Sequence, residues 1–272
     1  MAHRDYRWLM RVRPEIFAAF LKNLLRVKRM EMRGPAGSVL WADPVTLLGA
    51  NLQESGVYEP EMTRLITALL RSHDTFIDVG ANEGYFSVLA ALVANEGKVF
   101  SIEPQITLRP VIGKNFRLNG IVNADVENVA LSDAVSEATL YLRTSINNGA
   151  SRIDVPHKGM GRRQTVTTLT LSRLLEQKNV TRARIIKIDC EGGEYKILTG
   201  SRELFQNRQF DFVLLEYHFN VLTREQGMEI HQLLSTAGYS LAKWQDQTIY
   251  YLASHERDLA AVSPEIQLAA KF

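Results

Sequence analysis

Residues 75–85 read Thr75-Phe76-Ile77-Asp78-Val79-Gly80-Ala81-Asn82-Glu83-Gly84-Tyr85. An apolar run enters a turn with two glycines and continues into an apolar helical pattern, which predicts a strand, a tight turn and a helix. Gly80 permits the tight turn, and Gly84 permits close packing of the helix on the strand. The amides at the start of such a helix favour a carboxylate or another polar part of a ligand.

Outward from this run, strand-like and helical patterns alternate, which indicates successive βαβ units and a doubly wound α/β domain. The predicted strands lie at about 75–80, 98–103, 125–131, 184–189 and 210–216. Helices are predicted at 61–71 and 225–237, and an antiparallel hairpin at 239–243 and 248–253. A strand at 139–142 and a polar loop at 145–151 form an insertion. In such a sheet the ligand lies at the carboxyl ends of the strands, where the strand order reverses.

The glycine spacing argues against a dinucleotide site. The fingerprint of that site needs glycine at positions 82 and 85, where this chain has Asn82 and Tyr85. Asp78, just before the turn, would oppose a pyrophosphate but suit an ammonium group. Glu103 ends the next strand, where a carboxylate can accept hydrogen bonds from both ribose hydroxyls. The alternatives are that Glu103 caps the following helix and that Asp78 only forms the turn.

Five segments, taken in order, resemble the FkbM methyltransferases. They are Gly56–Pro60, Phe76–Tyr85, Ile102–Pro104, Asn128–Asp133 and Lys187–Glu194. The resemblance spans roughly residues 50–220 and implies a class I, Rossmann-like fold. That fold has a seven-stranded, mostly parallel sheet with a C-terminal antiparallel hairpin and helices on both faces.

The resemblance also implies S-adenosylmethionine as methyl donor and O-methylation of a sugar, glycan or natural-product hydroxyl. The cofactor-binding residues that it implies, or that the turn itself predicts, are Tyr58, Glu59, Asp78, Gly80, Asn82, Gly84, Tyr85, Glu103, Pro104, Asn128, Ala130 and Ser132. One departure is Thr170, where the family usually has aspartate. If that aspartate caps a helix, we expect Thr170 to cap it more weakly or not at all.

Methyl transfer requires an acceptor oxygen aligned with the methyl group, and a base helps because a neutral hydroxyl is a poor nucleophile. The candidates at the predicted strand ends are Asp189, Glu191, Glu216 and His218. We assign Asp189, Glu191 and His218 to the acceptor side, and His218 has the ordinary pKa best suited to a base near neutrality. We assign no metal ligand, although carboxylates with an imidazole are also a donor set for magnesium or calcium.

The composition is that of an ordinary globular protein, with 46% apolar and 23% charged residues among 272. The net charge of +2 implies no general attraction to nucleic acid, so we expect none as partner. Cys190 is the only cysteine, which fits a reducing, cytoplasmic setting and excludes an intrachain disulfide. The sequence contains neither a membrane-spanning run nor a signal peptide h-region, so we expect neither export nor a membrane span.

The first 33 residues hold nine basic and three acidic side chains. From Pro14 to Met30 the apolar residues recur at helical spacing, which predicts a basic amphipathic helix. This helix either contacts an anionic membrane surface or a charged glycan carrier, or packs on its own domain or a dimer partner. We divide the chain into a basic N-terminal extension (1–50), a methyltransferase domain (51–255) and a C-terminal tail (256–272).

Two other functions remain open at this stage. A nicotinamide-dependent oxidoreductase uses a similar fold, but the missing glycines argue against it. A non-catalytic relative would bind S-adenosylmethionine or a glycan and would carry degenerate acceptor groups. The acceptor carboxylates are present in this chain. We therefore favour the enzyme.

Overall fold

A computed structural model describes residues 6–142, 151–153, 162–218 and 221–268. The strands are β1 (Met30–Arg33), β2 (Val39–Ala42), β3 (Thr75–Val79), β4 (Lys98–Ile102), β5 (Ala124–Glu127), β6 (Ala130–Leu131), β7 (Ser136–Leu142), β8 (Arg152–Ile153), β9 (Arg162–Leu169), β10 (Ala183–Ile188), β11 (Phe210–Leu215), β12 (Tyr239–Trp244), β13 (Gln247–Leu252) and β14 (Gln267–Leu268). The α-helices are α1 (Glu15–Leu24), α2 (Leu47–Glu54), α3 (Pro60–Leu69), α4 (Tyr85–Val93), α5 (Arg109–Leu118), α6 (Leu171–Gln177), α7 (Glu194–Gly200), α8 (Arg202–Gln206), α9 (Arg224–Thr236) and α10 (Glu256–Ala260).

The central sheet has the strand order β14-β12-β13-β11-β10-β3-β4-β5. The five strands from β11 to β5 are parallel. On the other side, β13 pairs antiparallel with β11, β12 with β13, and β14 with β12. The chain runs outward from β3 to β5 on one side and from β10 to β11 on the other. The strand order therefore reverses between β3 and β10, which is where a doubly wound sheet binds its ligand.

The predicted seven-stranded sheet is wrong in its strand count. The eighth strand is β14, which comes from the segment that the sequence assigned to a tail and pairs with Ala242 and Lys243 of β12. Without β14 the backbone groups of β12 would form an open edge, and pairing satisfies part of that edge.

Alternate residues of the central strands face two apolar clusters. Phe76 and Ile185 pack with α3 and α4, whereas Ile77 and Ile186 pack with α6, α7 and α9. This alternation is the consequence of the two-residue period of a strand, so a strand covered by helices on both faces is apolar throughout. No helix in the described ranges is long and apolar enough to cross a membrane.

A second sheet, with the order β6-β9-β7-β8, lies beside the carboxyl end of β5. The strand predicted at 125–131 is split between the two sheets, so that prediction is wrong as one continuous strand. The break occurs at Asn128, whose side chain donates hydrogen bonds to the carbonyls of Glu103 and Pro104 at 2.7 and 3.1 Å. Most of the predicted loop at 145–151 lies outside the described residues.

The N-terminal segment packs on the main domain. Strands β1 and β2 form an antiparallel pair, and Met32 and Leu40 belong to the same apolar cluster as α3 and α4. Helix α1 ends at Leu24 and not at the predicted Met30, because Arg26 adopts a left-handed backbone with φ of 51° and Met30 begins β1. The predicted division of the chain at residue 50 stays a prediction.

Candidate functional site

The turn after β3 is shaped by Gly80, which has φ of +82°. A Cβ atom at this position would lie 1.8 Å from the carbonyl oxygen of Asp189, so only glycine allows the two strand ends to approach. Gly84 also has φ of +82°, and a Cβ atom there would lie 3.0 Å from Ile112 of α5. The two glycines therefore fix the loop between β3 and α4 against β10 and α5.

Glu103 lies at the end of β4 and is almost fully buried. Its carboxylate accepts backbone N–H groups from Asn82 at 2.9 Å and from Gln105 at 2.8 Å. Burial raises the pKa of Glu103 to about 7, although the two amide hydrogen bonds act in the opposite direction. Glu103 thus joins the ends of β3 and β4 and retains lone pairs for a ligand hydroxyl.

The carboxyl ends of β3, β4, β10 and β11 border a cavity of about 280 Å³. Ten predicted site residues line it: Tyr58, Glu59, Gly80, Asn82, Glu103, Pro104, Ala130, Asp189, Glu191 and His218. The structure therefore brings together residues that lie up to 160 positions apart in the sequence. Two lining atoms, Oε2 of Glu59 and Oδ1 of Asn82, are buried and have no hydrogen-bond partner among the described residues.

The remaining predicted residues, Asp78, Gly84, Tyr85, Asn128 and Ser132, are not in the cavity wall as described. Tyr85 supports the wall from behind, because its hydroxyl oxygen accepts the backbone N–H of Tyr58 at 3.2 Å. Asn128, at the break between β5 and β6, donates side-chain hydrogen bonds to the backbone carbonyls of Glu103 and Pro104. Ser132 is engaged with Asp133 at 3.0 Å.

Asp78 faces the interior of the domain in this structure. Its Oδ2 accepts a hydrogen bond from the Ser87 hydroxyl at 2.6 Å, and its Oδ1 lies 3.6 Å from Nζ of Lys187. Nζ of Lys187 donates a hydrogen bond to Oδ2 of Asp189 at 2.9 Å. Burial alone would lower the pKa of Lys187, but Asp189, Asp78 and Glu59 raise it above its ordinary value. Lys187 is therefore a buried cation beneath the cavity floor.

His218 faces the predicted acceptor carboxylates. Its Nε2 lies 3.7 Å from Asp189, 3.8 Å from Glu216 and 3.9 Å from Glu191, and its Nδ1 lies 2.7 Å from Glu194. Burial would lower the pKa of His218, but the hydrogen bond and charge of Glu194, with Glu191 and Asp189, raise it to about 9. His218 is therefore protonated at neutral pH. This state does not favour the base role that its ordinary pKa suggested.

Glu216 is the carboxylate with the pKa suited to a base. Its burial, together with repulsion from Asp189 and Glu59, raises its pKa to about 7. The side chain is 41% exposed and lines the cavity, so it is accessible to a ligand. Sequence reasoning placed Glu216 at the strand end but assigned the acceptor side to Asp189, Glu191 and His218.

The cavity wall is strongly acidic. Its carboxylates are Glu59, Glu83, Glu103, Asp189, Glu191 and Glu216, and His218 is the cationic side chain among its described residues. Glu83 is neutralised by Arg29 at 2.5 Å. Asp189 pairs with Lys187, and Glu191 lies near Arg152. The carboxylates without a lysine or arginine partner among the described residues, Glu59, Glu103 and Glu216, form the part of the wall that suits a cationic group.

Comparison with known proteins settles the family. A family model described as the methyltransferase FkbM domain matches residues 78–241, more than half of the chain. The chain belongs to the FkbM methyltransferase family. The resemblance noted in the sequence is thereby confirmed, and the FkbM assignment favours methyl transfer over hydride transfer to a nicotinamide.

The FkbM chain is 25% identical over 183 residues to the hexuronic acid methyltransferase AglP of Haloferax volcanii, covering 67% of this chain and 70% of that protein. Among solved structures it is similar to an O-methyltransferase from Bacillus cereus in complex with SAH, with a TM-score of 0.44 and 11% identity over 75% of this chain and 87% of the other. It is also similar to TYW2 of M. jannaschii in complex with AdoMet, with a TM-score of 0.42 and 13% identity over 82% and 84%.

The FkbM site contains one group with metal-ligand geometry among the described residues. Asp189, Glu216 and His218 each offer a ligand atom, and these atoms lie within 4.8 Å of one another. The buried Glu194 orients His218 in the way that a carboxylate orients a metal-binding histidine. Oxygen-rich donor sets of this kind suit magnesium or calcium.

Three contributors to the FkbM site were not predicted from the sequence. Glu194 was quoted only as part of a motif, although its place at the first residue of α7 could have indicated that it points toward the strand ends. The pair of Arg29 and Glu83 joins residues 54 positions apart and carries no sequence signal. Outside the cavity, the hydroxyl oxygen of Thr170 accepts the backbone N–H of Arg173 at 3.1 Å, so Thr170 caps α6. The weakness of this cap relative to an aspartate cap stays a prediction.

Proposed function

We propose that this FkbM protein is an S-adenosylmethionine-dependent O-methyltransferase whose acceptor is a hydroxyl of a sugar. The observation that carries the proposal is the acidic cavity where the strand order reverses between β3 and β10. One part of its wall holds Glu59, Asn82 and Glu103, and another part holds Asp189, Glu191, Glu216 and His218. The family membership supports methyl transfer, and the sugar is supported by the name of the Haloferax relative alone.

The residues of the cavity fit this donor. The buried oxygens of Glu59 and Asn82 that have no hydrogen-bond partner among the described residues are proposed as acceptors for an ammonium group. Oδ1 of Asp78 likewise has no hydrogen-bond partner there, so the role that the sequence assigned to Asp78 stays a prediction. Glu103, at the end of β4, is the proposed ribose ligand, and Val129 to Leu131 form an apolar wall for an adenine. When bound, S-adenosylmethionine supplies a methyl group already activated by a sulfonium, and the carboxylate excess of the wall suits that positive charge.

Proton removal from the acceptor hydroxyl is assigned to Glu216. A base is most effective when its pKa lies near the working pH, and the pKa of Glu216 is about 7. His218, protonated and held by Glu194, donates from Nε2 to the acceptor oxygen or a neighbouring group and so orients it. Asp189 is fixed by Lys187 and Glu191 lies near Arg152, so these two carboxylates complete the acceptor wall.

A side chain of the second sheet supports an acidic sugar as the acceptor. Arg152 of β8 is buried, lies 3.6 Å from Glu191, and has an Nε without a hydrogen-bond partner among the described residues. Its neighbours Ser151 and Ile153 line the cavity. An acceptor that carries a carboxylate, such as the hexuronic acid named for the relative, would pair with this guanidinium.

Calorimetry of S-adenosylmethionine and S-adenosylhomocysteine binding tests the donor site. We expect Glu103→Ala to lose about 1–3 kcal/mol of binding free energy, the usual cost of removing a hydrogen-bond acceptor for a buried group. Glu127→Ala is the matched control, because Glu127 ends the neighbouring strand β5 and pairs with Lys178 outside the cavity. Absence of binding to the wild-type protein, or equal affinity in wild type and Glu103→Ala, would overturn the assignment.

A second assay identifies the acceptor. Sugars and extracts are incubated with the enzyme and a donor carrying an isotopically labelled methyl group, and products are detected by mass spectrometry. The expected product carries the label on oxygen of an acidic sugar. Label on nitrogen, carbon or a nucleic acid would contradict the O-methyltransferase proposal.

A further inference from the structure

Helix α1 carries its apolar side chains on the outside. Ile16, Phe17, Phe20 and Leu24 are 64%, 50%, 58% and 65% exposed. These residues follow one another at helical spacing on the side opposite Ala18 and Lys22, which are buried. A surface helix normally shows the reverse arrangement, with its apolar stripe toward the core.

This orientation is fixed by the contacts of the inner side. Lys22 forms a buried ion pair with Asp43, and Ala18 packs with Leu9 and Val45. Turning the apolar stripe inward would bury large side chains at the expense of this ion pair, and separating a buried pair leaves an uncompensated charge. The outward stripe is therefore a stable feature of the fold.

Basic side chains stand at both ends of the stripe. Arg11 and Arg13 precede α1, Arg26 and Lys28 follow it, and all four are exposed. Trp8, which is 49% exposed, adds an aromatic ring at the N-terminal end. An apolar helix face with terminal cations and an aromatic residue is the pattern of helices that lie in the interface of an anionic bilayer.

We propose that the outer face of α1, formed by Trp8, Ile16, Phe17, Phe20 and Leu24, docks onto an anionic lipid bilayer. The charge argues for this occupant over a second copy of the chain. A twofold contact through this face would bring the basic ends of two identical helices together, in either relative direction. A bilayer with anionic headgroups instead complements Arg11, Arg13, Arg26 and Lys28.

The segment beneath α1 leads to the cavity. Val45 packs on the inner side of α1, and the next three residues, Thr46 to Leu48, line the cavity wall. The docking face lies on the opposite side of the helix from Ala18, so it points away from this contact. This inference does not require the donor or acceptor assigned above.

Vesicle co-sedimentation tests the proposal with the full chain. Vesicles of phosphatidylcholine, with or without phosphatidylglycerol, are mixed with wild type, with the double variant Phe20→Ser/Leu24→Ser, and with the control Val122→Ser/Met228→Ser. Val122 and Met228 are 94% and 58% exposed and lie outside α1, so the control removes comparable exposed apolar side chains. All substituted side chains are exposed, and thermal unfolding with a Tm close to that of wild type verifies that each variant is folded.

We expect wild type and control to sediment with the phosphatidylglycerol vesicles and binding to weaken as salt is raised. The α1 variant should bind these vesicles on the order of tenfold or more weakly. Wild type that stays in the supernatant with both vesicle types, or an α1 variant that binds as well as wild type, overturns the proposal. If wild type is a dimer that does not bind vesicles and the α1 variant is a monomer in analytical ultracentrifugation, the face would be assigned to self-association and the proposal would be overturned. Vesicle binding without donor binding would leave this inference standing while the proposed function fails.

Discussion

Neutralising Glu194 should release the proton of His218 at neutral pH. Glu194 is fully buried, and its Oε1 lies 2.7 Å from Nδ1 of the histidine. Burial lowers the pKa of His218, while the hydrogen bond and charge of Glu194 are the largest influences that raise it. Glu194→Gln preserves the size of the side chain and removes its charge, so the opposing effect of burial is no longer overcome to the same extent.

The size of the effect follows from the pKa of His218. The pKa of His218 is about 9, which is about 2.5 pH units above the ordinary value of 6.5. We expect the pKa of His218 in Glu194→Gln to fall most of the way back to this ordinary value. Because His218 must stay protonated to orient the acceptor, the alkaline fall of kcat/KM should begin near pH 9 in wild type. In the variant it should begin near neutrality.

Histidine ring NMR measures this change without an acceptor. The His218 signal is assigned by its loss in His218→Asn. Its chemical shift is then followed from about pH 5.5 to about pH 10 to obtain the pKa of His218. The control is Glu96→Gln, which removes the carboxylate partner of the exposed His73 at 2.9 Å and should leave the titration of His218 unchanged. A wild-type His218 that titrates near 6.5, or a variant that still titrates near 9 while folded, would refute the coupling.

Two further predictions concern Glu216 and Thr170. As the proposed base, Glu216 accepts the proton only when ionised, so turnover should fall below about pH 7. Glu216→Gln should lower kcat by roughly 10²–10⁴ and remove this loss of turnover at acidic pH. The control is Glu225→Gln at an exposed position, and an unchanged pH profile in Glu216→Gln would assign the base to another residue. Thr170→Asp should raise the free energy of unfolding by about 0.3–1 kcal/mol, because a charged side chain would cap α6. Thr170→Ala should lower the free energy of unfolding by about 1 kcal/mol, because it removes the cap. Thermal unfolding measures both variants, and an equal Tm for the two would contradict the capping role.

The fold was largely predictable because its central strands are buried on both faces. Strands such as β3, β10 and β11 are mostly apolar and are separated by helical patterns, so pattern alone placed each within a residue of its observed ends. The strand β14 was not predictable, since two exposed residues carry no period and pair only because β12 offers an open edge. The split at Asn128 depends on carbonyls of another segment, which local pattern does not contain.

The site was predictable in its location and less so in its chemistry. Strand-end placement brought Asp189, Glu191, Glu216 and His218 to one cavity as expected. The choice among them depends on pKa values, which are set by neighbours such as Glu194 and by burial. Asp78 is fully buried beside Lys187 and is not in the cavity wall as described, and the sequence does not reveal how deep either side chain lies. The ligand contact of Asp78 stays a prediction.

The acidic wall of the cavity also bears on product inhibition. The donor carries a sulfonium and is one positive charge richer than its demethylated thioether product, while Glu59, Glu103, Asp189 and Glu216 remain in the wall throughout turnover. Loss of that charge weakens the product's attraction to the wall, and each 1.4 kcal/mol of lost attraction accelerates release about tenfold at a constant association rate. We therefore expect the thioether product to bind this site more weakly than the donor, which calorimetry with both compounds measures directly.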